Sequence, residues 1–394
     1  MPRRLRIAIA GAGPGRGQIW PATVKKLDDL YELCALCEPV PERAAENERR
    51  WGVRVYTDLD TMLAEQRPDL VLAATPTDAY HVVACKAAGC GAHVISEIPL
   101  APTRPIADMS IEATRRAGVK LEVAENAYRW ASERLKQKII RSGIVGRPTH
   151  ARLWYTCGSY HGLNAVRELV RANPSRVLGY VGTIPESWHV DYLDQTFPER
   201  SWEGAIVEFD SGLVCVYEVP PPGHRGNTWE IEGTDGALVG DELLLGTGGS
   251  RERFAFQWEY SREGDRKVLD HVRVDTEPPI VWENPFKRYA VGDNDEVARV
   301  DILAGFHRSI VEDLPAEYGP ERAWPDQETW IAIRQSALRD NAWIDLPLTE
   351  PTEFERRMQA EYKTLYGCPY DDLDGLSKVA FPRGGVRWAV GRQL

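Results

Sequence analysis

The sequence predicts an α/β chain in which a doubly wound parallel sheet is followed by a domain with a large open, mostly antiparallel sheet. Between residues 5 and about 124, short apolar strands alternate with helical stretches, which is typical of a parallel sheet with helices on both faces. Beyond residue 124, hairpin signals join the strand-like runs, which favours antiparallel pairing. We therefore expect two domains, at residues 1–124 and 125–394.

The first domain is expected to contain six strands. Apolar runs predict them at residues 5–10, 33–37, 53–56, 70–74, 93–96 and 120–123. Helices fill the intervals. The helix predicted over residues 79–88 is followed by Gly89, a residue type that is favoured at a helix C-cap.

The second domain opens with a helix predicted over residues 132–142. Residues 205–209 and 213–217 alternate as strands do, and Asp210, Ser211 and Gly212 between them indicate a hairpin. A further turn is predicted at residues 233–236, and helices return at 297–312 and 326–341.

The first predicted strand runs directly into a glycine-rich turn, made of Gly11, Gly13, Pro14, Gly15, Arg16 and Gly17. Glycine is required where a turn needs backbone angles that are closed to other residues, and where phosphates approach the main chain closely. The helix that follows would aim its first N–H groups at the anion. The turn therefore predicts a dinucleotide-binding Rossmann domain, although Arg16 occupies the sixth position of the Gly-x-Gly-x-x-Gly pattern.

An acidic residue, Glu38, follows the second predicted strand about twenty residues beyond the glycines. A carboxylate at this position binds the ribose hydroxyls of NAD and repels the 2′-phosphate of NADP. Neither Pro39 nor Val40 supplies a cation that would reverse the preference. The expected cofactor is therefore NAD.

Composition excludes several other classes of protein. The 394 residues carry a net charge of −11 and contain no long lysine or arginine cluster, which disfavours nucleic acid and anionic membranes as partners. We expect no membrane span, no signal peptide and no metal site, because long apolar runs and short paired His or Cys intervals are missing. Seven cysteines, an odd number, suggest reduced thiols in the cytoplasm.

Several motifs in the right order resemble the glucose-fructose oxidoreductase/inositol dehydrogenase/rhizopine-catabolism (Gfo/Idh/MocA) family. They are Ala74-Thr75-Pro76 with His81 a helical turn later, residues 91–100 with Glu97-Ile98-Pro99, the segment Glu125-Asn126-Ala127-Tyr128-Arg129, and Asp326-Gln327-Glu328. The resemblance covers nearly the whole chain and implies a nicotinamide in the cleft between a Rossmann domain and an open-sheet domain. It also implies cofactor contacts for Thr75, Pro76, His81, Glu97, Pro99 and Asn126.

Two positions depart from the family pattern. Ile98 stands where the family has the lysine of Glu-Lys-Pro, and an isoleucine has no proton to give or take. Cys157 stands where the family has an aspartate four residues before its catalytic histidine. The usual proton relay of the family is therefore broken.

Hydride transfer from a secondary alcohol needs a base for the hydroxyl proton, and histidine suits that role because it titrates near neutrality. His161 is the candidate base, placed between a strand that ends near residue 155 and a helix predicted from about residue 163. Tyr160 beside it is a second catalytic candidate or a packing group.

Four residues are candidates for substrate binding. Tyr128 and Arg129 match the family's substrate-side segment. Arg129 either offers hydrogen bonds to a polyol or an anionic group, or forms a salt bridge across the domain junction. Asn164 fits the pattern downstream of the catalytic histidine, and His189 belongs to a second polar group that can either reach the cleft or be structural.

The leading interpretation is an NAD-dependent oxidoreductase that transfers hydride between nicotinamide and a hydroxyl-bearing carbon of a sugar, glycoside or cyclitol. Two alternatives stay open, because Ile98 and Cys157 permit altered or lost chemistry. One is a redox-neutral glycosidase that retains its NAD, and the other is a non-catalytic NAD-binding regulator. The resemblance also implies a homo-oligomer, either a dimer or a tetramer.

Overall fold

Six parallel strands form the first sheet. They are β1 (Leu5–Ala10), β2 (Tyr31–Cys37), β3 (Arg54–Tyr56), β4 (Leu70–Ala73), β5 (His93–Ser96) and β6 (Leu121–Val123), in the order β3-β2-β1-β4-β5-β6. This is the strand order of the Rossmann fold. The six strands predicted from the apolar runs are confirmed, each with bounds within two residues of the prediction. The central runs are readable because both faces of those strands are buried, as in β4, where all four residues are buried.

The computed structural model describes residues 3–155, 159–190, 196–219, 227–246, 249–382, 385–386 and 390, with the backbone alone for residues 186–190 and 196–201. Within these ranges, none of the helices is long and apolar enough to cross a membrane.

Helices connect the strands of the first sheet. They are α1 (Arg16–Lys26), α2 (Pro41–Trp51), α3 (Leu59–Gln66), α4 (Tyr80–Gly89) and α5 (Arg104–Ala117). Helix α2 begins with a proline at its first position and ends at Gly52, which is left-handed with φ +66°. The predicted C-cap at Gly89 is wrong, because Gly89 is the last helical residue and the left-handed turn falls at Gly91, with φ +78°.

The second sheet has nine strands. They are β7 (Pro148–Trp154), β8 (Pro174–Val190), β9 (Thr196–Phe209), β10 (Val214–Glu218), β11 (Thr228–Gly233), β12 (Gly236–Val239), β13 (Glu242–Leu245), β14 (Glu252–Ala255) and β18 (Ile344–Asp345), in the order β14-β13-β12-β11-β7-β10-β9-β8-β18. Only the β7–β10 pair is parallel among these neighbours. The mostly antiparallel sheet and both predicted turns are confirmed. Strands β15 (Gln257–Glu263), β16 (Arg266–Val274) and β17 (Ile280–Glu283) form a separate antiparallel sheet.

Four long helices accompany the second sheet, and a fifth follows them. They are α6 (Ala131–Ser142), α7 (Ser159–Val170), α8 (Asn294–Val311), α9 (Pro320–Leu338) and α10 (Glu353–Tyr366), with a short α11 (Leu373–Leu376). Helix α9 begins six residues before the prediction, because a proline suits its first position. His161 lies inside the first turn of α7, where the sequence placed it just before the helix.

The last described residues return to the first sheet. Tyr362 Oη donates to the Asp78 carbonyl at 3.1 Å, and the Asp78 carboxylate accepts from Tyr366 Oη at 2.5 Å and from the Val386 amide at 2.8 Å. Asp78 is only 1% exposed. The division at residue 124 stays a prediction, and these contacts show that the C-terminal segment packs against the first domain.

Candidate active site

The glycine-rich turn packs tightly against the end of β4. Gly11 has φ +95°, and a Cβ added there would lie 2.6 Å from the Thr75 backbone nitrogen. A Cβ on Gly17 would lie 2.7 Å from the Gly11 carbonyl oxygen. Both positions therefore exclude a side chain, because close backbone packing holds β1, the turn and α1 together.

The remaining residues of the turn leave its main chain open. A Cβ on Gly13 would first meet Glu38 Oε2, at 3.8 Å, and Pro14 and Gly15 are exposed. Gly15, with φ +82°, directly precedes α1, and no side chain caps the first N–H groups of that helix. Uncapped helix amides beside an open glycine turn suit an anionic pyrophosphate.

Two buried polar atoms beside this turn have no partner. Thr75 Oγ1 and Asn126 Oδ1 are both enclosed without a hydrogen bond in the described structure. A buried oxygen without a partner is costly, and a bound ligand with hydroxyl or amide groups would supply one. Together with the tight glycines, these atoms fit a dinucleotide held along the carboxyl edge of the first sheet. Their predicted contacts with NAD stay predictions.

Glu38 has a cation beside it. The sequence analysis expected none, because it considered only Pro39 and Val40. Arg43, in the first turn of α2, donates from Nε at 3.0 Å and from Nη2 at 2.7 Å to Glu38 Oε1, and the Val40 amide lies 3.2 Å from the same oxygen. Glu38 Oε2, which faces Gly13, takes no part in these bonds. The carboxylate therefore keeps one oxygen on the side of the turn, where the ribose hydroxyls are expected.

Arg16 spans the cleft side of the turn. Its guanidinium lies 3.4 Å from Glu97, which directly follows β5, and 3.5 Å from Asp295 at the start of α8. Burial disfavours its charge, but these two carboxylates raise the pKa of Arg16 above its ordinary value. Trp20 donates to Glu97 at 2.6 Å, and Asn126 donates to Asp295 at 2.5 Å. Arg16, Glu97 and Asn126, predicted separately from the sequence, thus form one connected group.

Two further predicted residues line up beside this group. Pro76 follows Thr75 at the end of β4, and the buried Pro99 follows Glu97 and Ile98 at the end of β5. The half-buried Ile98 carbonyl lies 3.4 Å from Tyr80 Oη. Because β4 and β5 are neighbours, both prolines stand at the same edge of the sheet as the glycine turn.

His161 pairs with a carboxylate that the sequence did not single out as a site residue. Its Nδ1 lies 2.5 Å from Oε1 of Glu125, which follows β6. The contact is close but off the direct line of the ring N–H. Both side chains are buried, at 9% and 3% exposure. Histidine and carboxylate therefore meet where α7 reaches the carboxyl edge of the first sheet.

Aromatic rings hold the imidazole on two sides. Trp130 and Tyr155 both meet the His161 ring edge-on, with centroids at 6.1 Å and 5.2 Å. Trp229 stacks on Trp130 at 5.7 Å and is itself held by Glu133, which accepts from its Nε1 at 2.9 Å. The ring of His161 is therefore fixed by packing as well as by Glu125.

Trp130 is a candidate that the sequence analysis missed. Its Nε1 is buried without a hydrogen-bond partner in the described structure, beside His161. Its position directly after the family segment that ends at Arg129 was the available signal. Tyr160, the second catalytic candidate, is 8% exposed, with its ring 6.4 Å from His161, and its catalytic part stays a prediction.

Tyr128 and Arg129 lie in the domain junction, and the structure favours the salt bridge over the substrate contact. Arg129 is fully buried, with Glu122 at 2.6 Å and Glu317 at 3.1 Å. Tyr128, 2% exposed, has its hydroxyl 3.3 Å from Glu317. Both Nη nitrogens of the guanidinium face protein carboxylates, and a substrate group at either would have to displace one of them, while Nε is buried without a partner in the described structure.

Asn164 belongs to an internal polar network. It is fully buried, and its Nδ2 donates to Tyr318 Oη at 2.6 Å and to Asp326 Oδ2 at 3.0 Å. Arg167 reaches the same aspartate at 2.8 Å, so the network joins α7 to α9. Asn164 Oδ1 is buried without a partner in the described structure, and the substrate-binding prediction for this residue stays a prediction.

His81 belongs to the contact between α4 and the C-terminal segment. Its Nε2 lies 2.8 Å from the Tyr370 carbonyl, and its ring meets Tyr362 edge-on. Burial lowers the pKa of His81 to about 4. The ring is fully enclosed, its Nδ1 has no partner in the described structure, and the predicted cofactor contact of His81 stays a prediction.

Two predicted features fall at or beyond the limits of the described residues. His189 lies in the backbone of β8, opposite Phe197, and its side chain is outside the description. Cys157 also lies outside the described residues. The substrate-binding prediction for His189 therefore stays a prediction.

One trio within the described ranges has potential metal ligands close together: Asp270, His271 and Glu283 on β16 and β17. Lys287 lies 2.5 Å from Asp270 and 3.1 Å from Glu283. Its ammonium group already balances the two carboxylates.

Comparison with known proteins decides the family. The pattern of the oxidoreductase family with an NAD-binding Rossmann fold, Gfo/Idh/MocA, matches residues 5–125. The levoglucosan dehydrogenase of Pseudarthrobacter phenanthrenivorans is 31% identical over 389 aligned positions, which cover 83% of this chain and 92% of that enzyme. The chain belongs to the Gfo/Idh/MocA family. It is therefore an NAD-binding oxidoreductase, as the sequence motifs predicted.

Other members of the Gfo/Idh/MocA family give shorter or more distant matches. The D-apiose dehydrogenase of Paraburkholderia graminis is 32% identical over 127 residues, which is 32% of this chain and 34% of that enzyme. A solved structure of levoglucosan dehydrogenase in complex with NADH and levoglucosan shares the fold, with a TM-score of 0.67 at 20% identity over 88% of this chain and 100% of that one.

Proposed function

We propose that this protein transfers hydride between NAD and a hydroxyl-bearing carbon of a neutral sugar, glycoside or cyclitol, with His161 as the proton acceptor. The observation that carries the proposal is the His161–Glu125 pair at the carboxyl edge of the first sheet. The glycine-rich turn that suits the dinucleotide lies at the same edge, where ligands bind in doubly wound sheets. The names of two relatives, a levoglucosan and a D-apiose dehydrogenase, support a sugar as substrate.

The chemistry divides between cofactor and chain. Bound NAD supplies the hydride acceptor for oxidation of a secondary alcohol. His161 would take the hydroxyl proton through Nε2, since Nδ1 faces Glu125. Ile98 cannot share that task, because its side chain carries no titratable group. The Trp130 indole N–H, buried without a partner beside the imidazole, would donate to a substrate oxygen.

Charge balance favours a neutral substrate. Arg16, Arg129 and Arg167 are three of the arginines around the cleft and the domain junction, and each already pairs with at least one carboxylate. An anionic sugar would have to break one of these pairs, whereas a neutral polyol asks only for hydrogen bonds. We retain, as further proposals, a cytoplasmic location and a homo-oligomer. The oligomer is supported by Ile206 and Val216, which are paired on the open sheet at 38% and 43% exposure.

The test is formation of NADH, followed by absorbance, with NAD and a panel of neutral sugars, glycosides and cyclitols. His161→Ala should lower kcat by about 10²–10⁴-fold, the usual contribution of a positioned base, with NAD affinity retained. Unchanged kcat in that variant would refute the role of His161. Release of an aglycone without net NADH would replace the proposal with the redox-neutral glycosidase, and NAD binding without turnover of any substrate would favour the regulator.

A further inference from the structure

A buried carboxylate stands behind the candidate base. Glu125 Oε1 lies 2.5 Å from His161 Nδ1 and also accepts the Ala127 amide at 2.9 Å. The Glu125 amide itself donates to the Val123 carbonyl at 2.8 Å. The carboxylate is thus fixed to its own backbone turn before it meets the imidazole.

The oxygen of Glu125 that faces the imidazole is a hydrogen-bond acceptor. Oε1, the atom beside His161 Nδ1, accepts the Ala127 amide. The Glu125 carboxylate also contributes, after Glu97, Asp295 and Tyr80, to the raised pKa of Arg16, against the opposing effect of burial. A neutral imidazole whose Nδ1 faces an acceptor oxygen must carry its proton on Nδ1.

We propose that Glu125 is a positioning residue that holds His161 in the Nδ1–H tautomer, with Nε2 left as the basic nitrogen that faces the substrate. Trp130 and Tyr155 fix the plane of the ring, and Glu125 decides which nitrogen is protonated. The catalytic consequence rests on the function proposed above, whereas the tautomer itself does not. The arrangement places a carboxylate from the carboxyl edge of the first sheet on a base from helix α7.

Two other buried histidines of the protein serve as internal references for the Nε2–H tautomer. His81 Nε2 lies 2.8 Å from the Tyr370 carbonyl, and His307 Nε2 lies 2.7 Å from the Arg3 carbonyl. Because a carbonyl oxygen can only accept, each of these neutral rings must be protonated on Nε2. One spectrum should therefore show His161 in one tautomer and two buried histidines in the other.

The experiment is nitrogen-15 NMR of the full chain labelled at histidine, recorded without NAD or sugar and well above the reference histidine pKa of about 6.5. In wild type, the signals of the His161 ring nitrogens should be those of the Nδ1–H tautomer. These signals are assigned by their absence from the spectrum of His161→Ala. Glu125→Leu should move it to Nε2–H, and Glu125→Gln, which keeps an acceptor oxygen, should retain Nδ1–H at least in part. His81 and His307 should stay Nε2–H throughout, which also reports that each variant is folded.

Glu122→Gln is the matched control, because Glu122 is a buried carboxylate three residues earlier that pairs with Arg129 and has no recorded contact with His161. It should leave the His161 tautomer unchanged. With an active substrate, Glu125→Leu should lower kcat by about 10- to 100-fold, as loss of an orienting partner does, with little change in KM for NAD. An Nε2–H tautomer in wild type, or Nδ1–H in Glu125→Leu, would overturn the proposal.

Failure of the proposed function would look different. If no sugar were oxidised while the tautomer changed as expected, Glu125 would still position His161 and only the reaction would be wrong. If sugars were oxidised at a normal rate by Glu125→Leu, the positioning role would be refuted and the function would stand.

Discussion

Replacing Gly13 by alanine separates the two reasons for which glycines stand in the turn. The nearest atom to an added Cβ would be Glu38 Oε2, at 3.8 Å, and Gly13 does not have a left-handed backbone. The free energy of unfolding should therefore change by less than about 0.5 kcal/mol. The same methyl group would stand where the main chain must approach the pyrophosphate. We expect the Kd for NAD to rise at least about 10-fold, which corresponds to ~1.4 kcal/mol.

The matched variant is Gly17→Ala. Its Cβ would lie 2.7 Å from the Gly11 carbonyl oxygen, so the backbone must shift, at a cost of about 1–3 kcal/mol in the free energy of unfolding. Calorimetric titration with NAD and urea unfolding measure the two quantities for both variants. Gly13→Ala with the wild-type Kd would refute the assignment of this turn to the pyrophosphate, and Gly13→Ala as unstable as Gly17→Ala would refute the packing argument.

Two further predictions concern His81 and Arg129, whose side chains contact other groups of the protein. His81→Gln keeps a donor for the Tyr370 carbonyl and removes the titrating ring. Because the pKa of His81 in the folded protein is lowered from 6.5 to about 4, wild type should lose about 3 kcal/mol of stability between pH 6.5 and 4 that the variant retains. Urea unfolding measures this, and the same pH dependence in both proteins would contradict it. Arg129→Met leaves the buried Glu122 without its cation, although Glu317 keeps its ion pair with Arg134, and should lower the free energy of unfolding in urea by about 3–5 kcal/mol. Unchanged stability with a raised KM for the sugar would support the substrate role.

The central strands of the first sheet could be predicted because they are buried on both faces and appear as continuous apolar runs. The turn could also be predicted, since Gly11 and Gly17 are required by contacts only a few ångströms away along β1, α1 and β4. Local backbone requirements leave a clear mark on the sequence. Helix ends are harder to predict from the sequence. Helix α9, for example, begins before its apolar pattern does.

The internal partners of the substrate-side candidates could not be predicted from the sequence, because those partners lie far away along the chain. Arg129 meets Glu317, and Asn164 meets Tyr318, each more than 150 residues away in sequence. Whether a polar side chain faces a ligand or an internal partner is decided by that long-range contact, which no local pattern records. Arg43 is a different case, because an arginine in the first turn of the helix after Glu38 is within reach of it and could have been anticipated.

Glu125 could have been identified from its position alone. It stands two residues beyond the end of β6, at the edge where β1, β4 and β5 also end, and the sequence analysis used it only as part of a family motif. A carboxylate at that edge is a natural partner for a histidine brought there by the second domain. The pairing itself required the structure, because Glu125 follows the last strand of the first sheet whereas His161 lies in α7, 36 residues later.

The most direct measurement is a crystal structure of the protein with NADH and a neutral sugar. The account predicts the reacting hydroxyl within about 2.6–3.2 Å of His161 Nε2, with Glu125 still on Nδ1. A hydroxyl bound to another side chain, with the His161 ring turned away from the sugar, would contradict it.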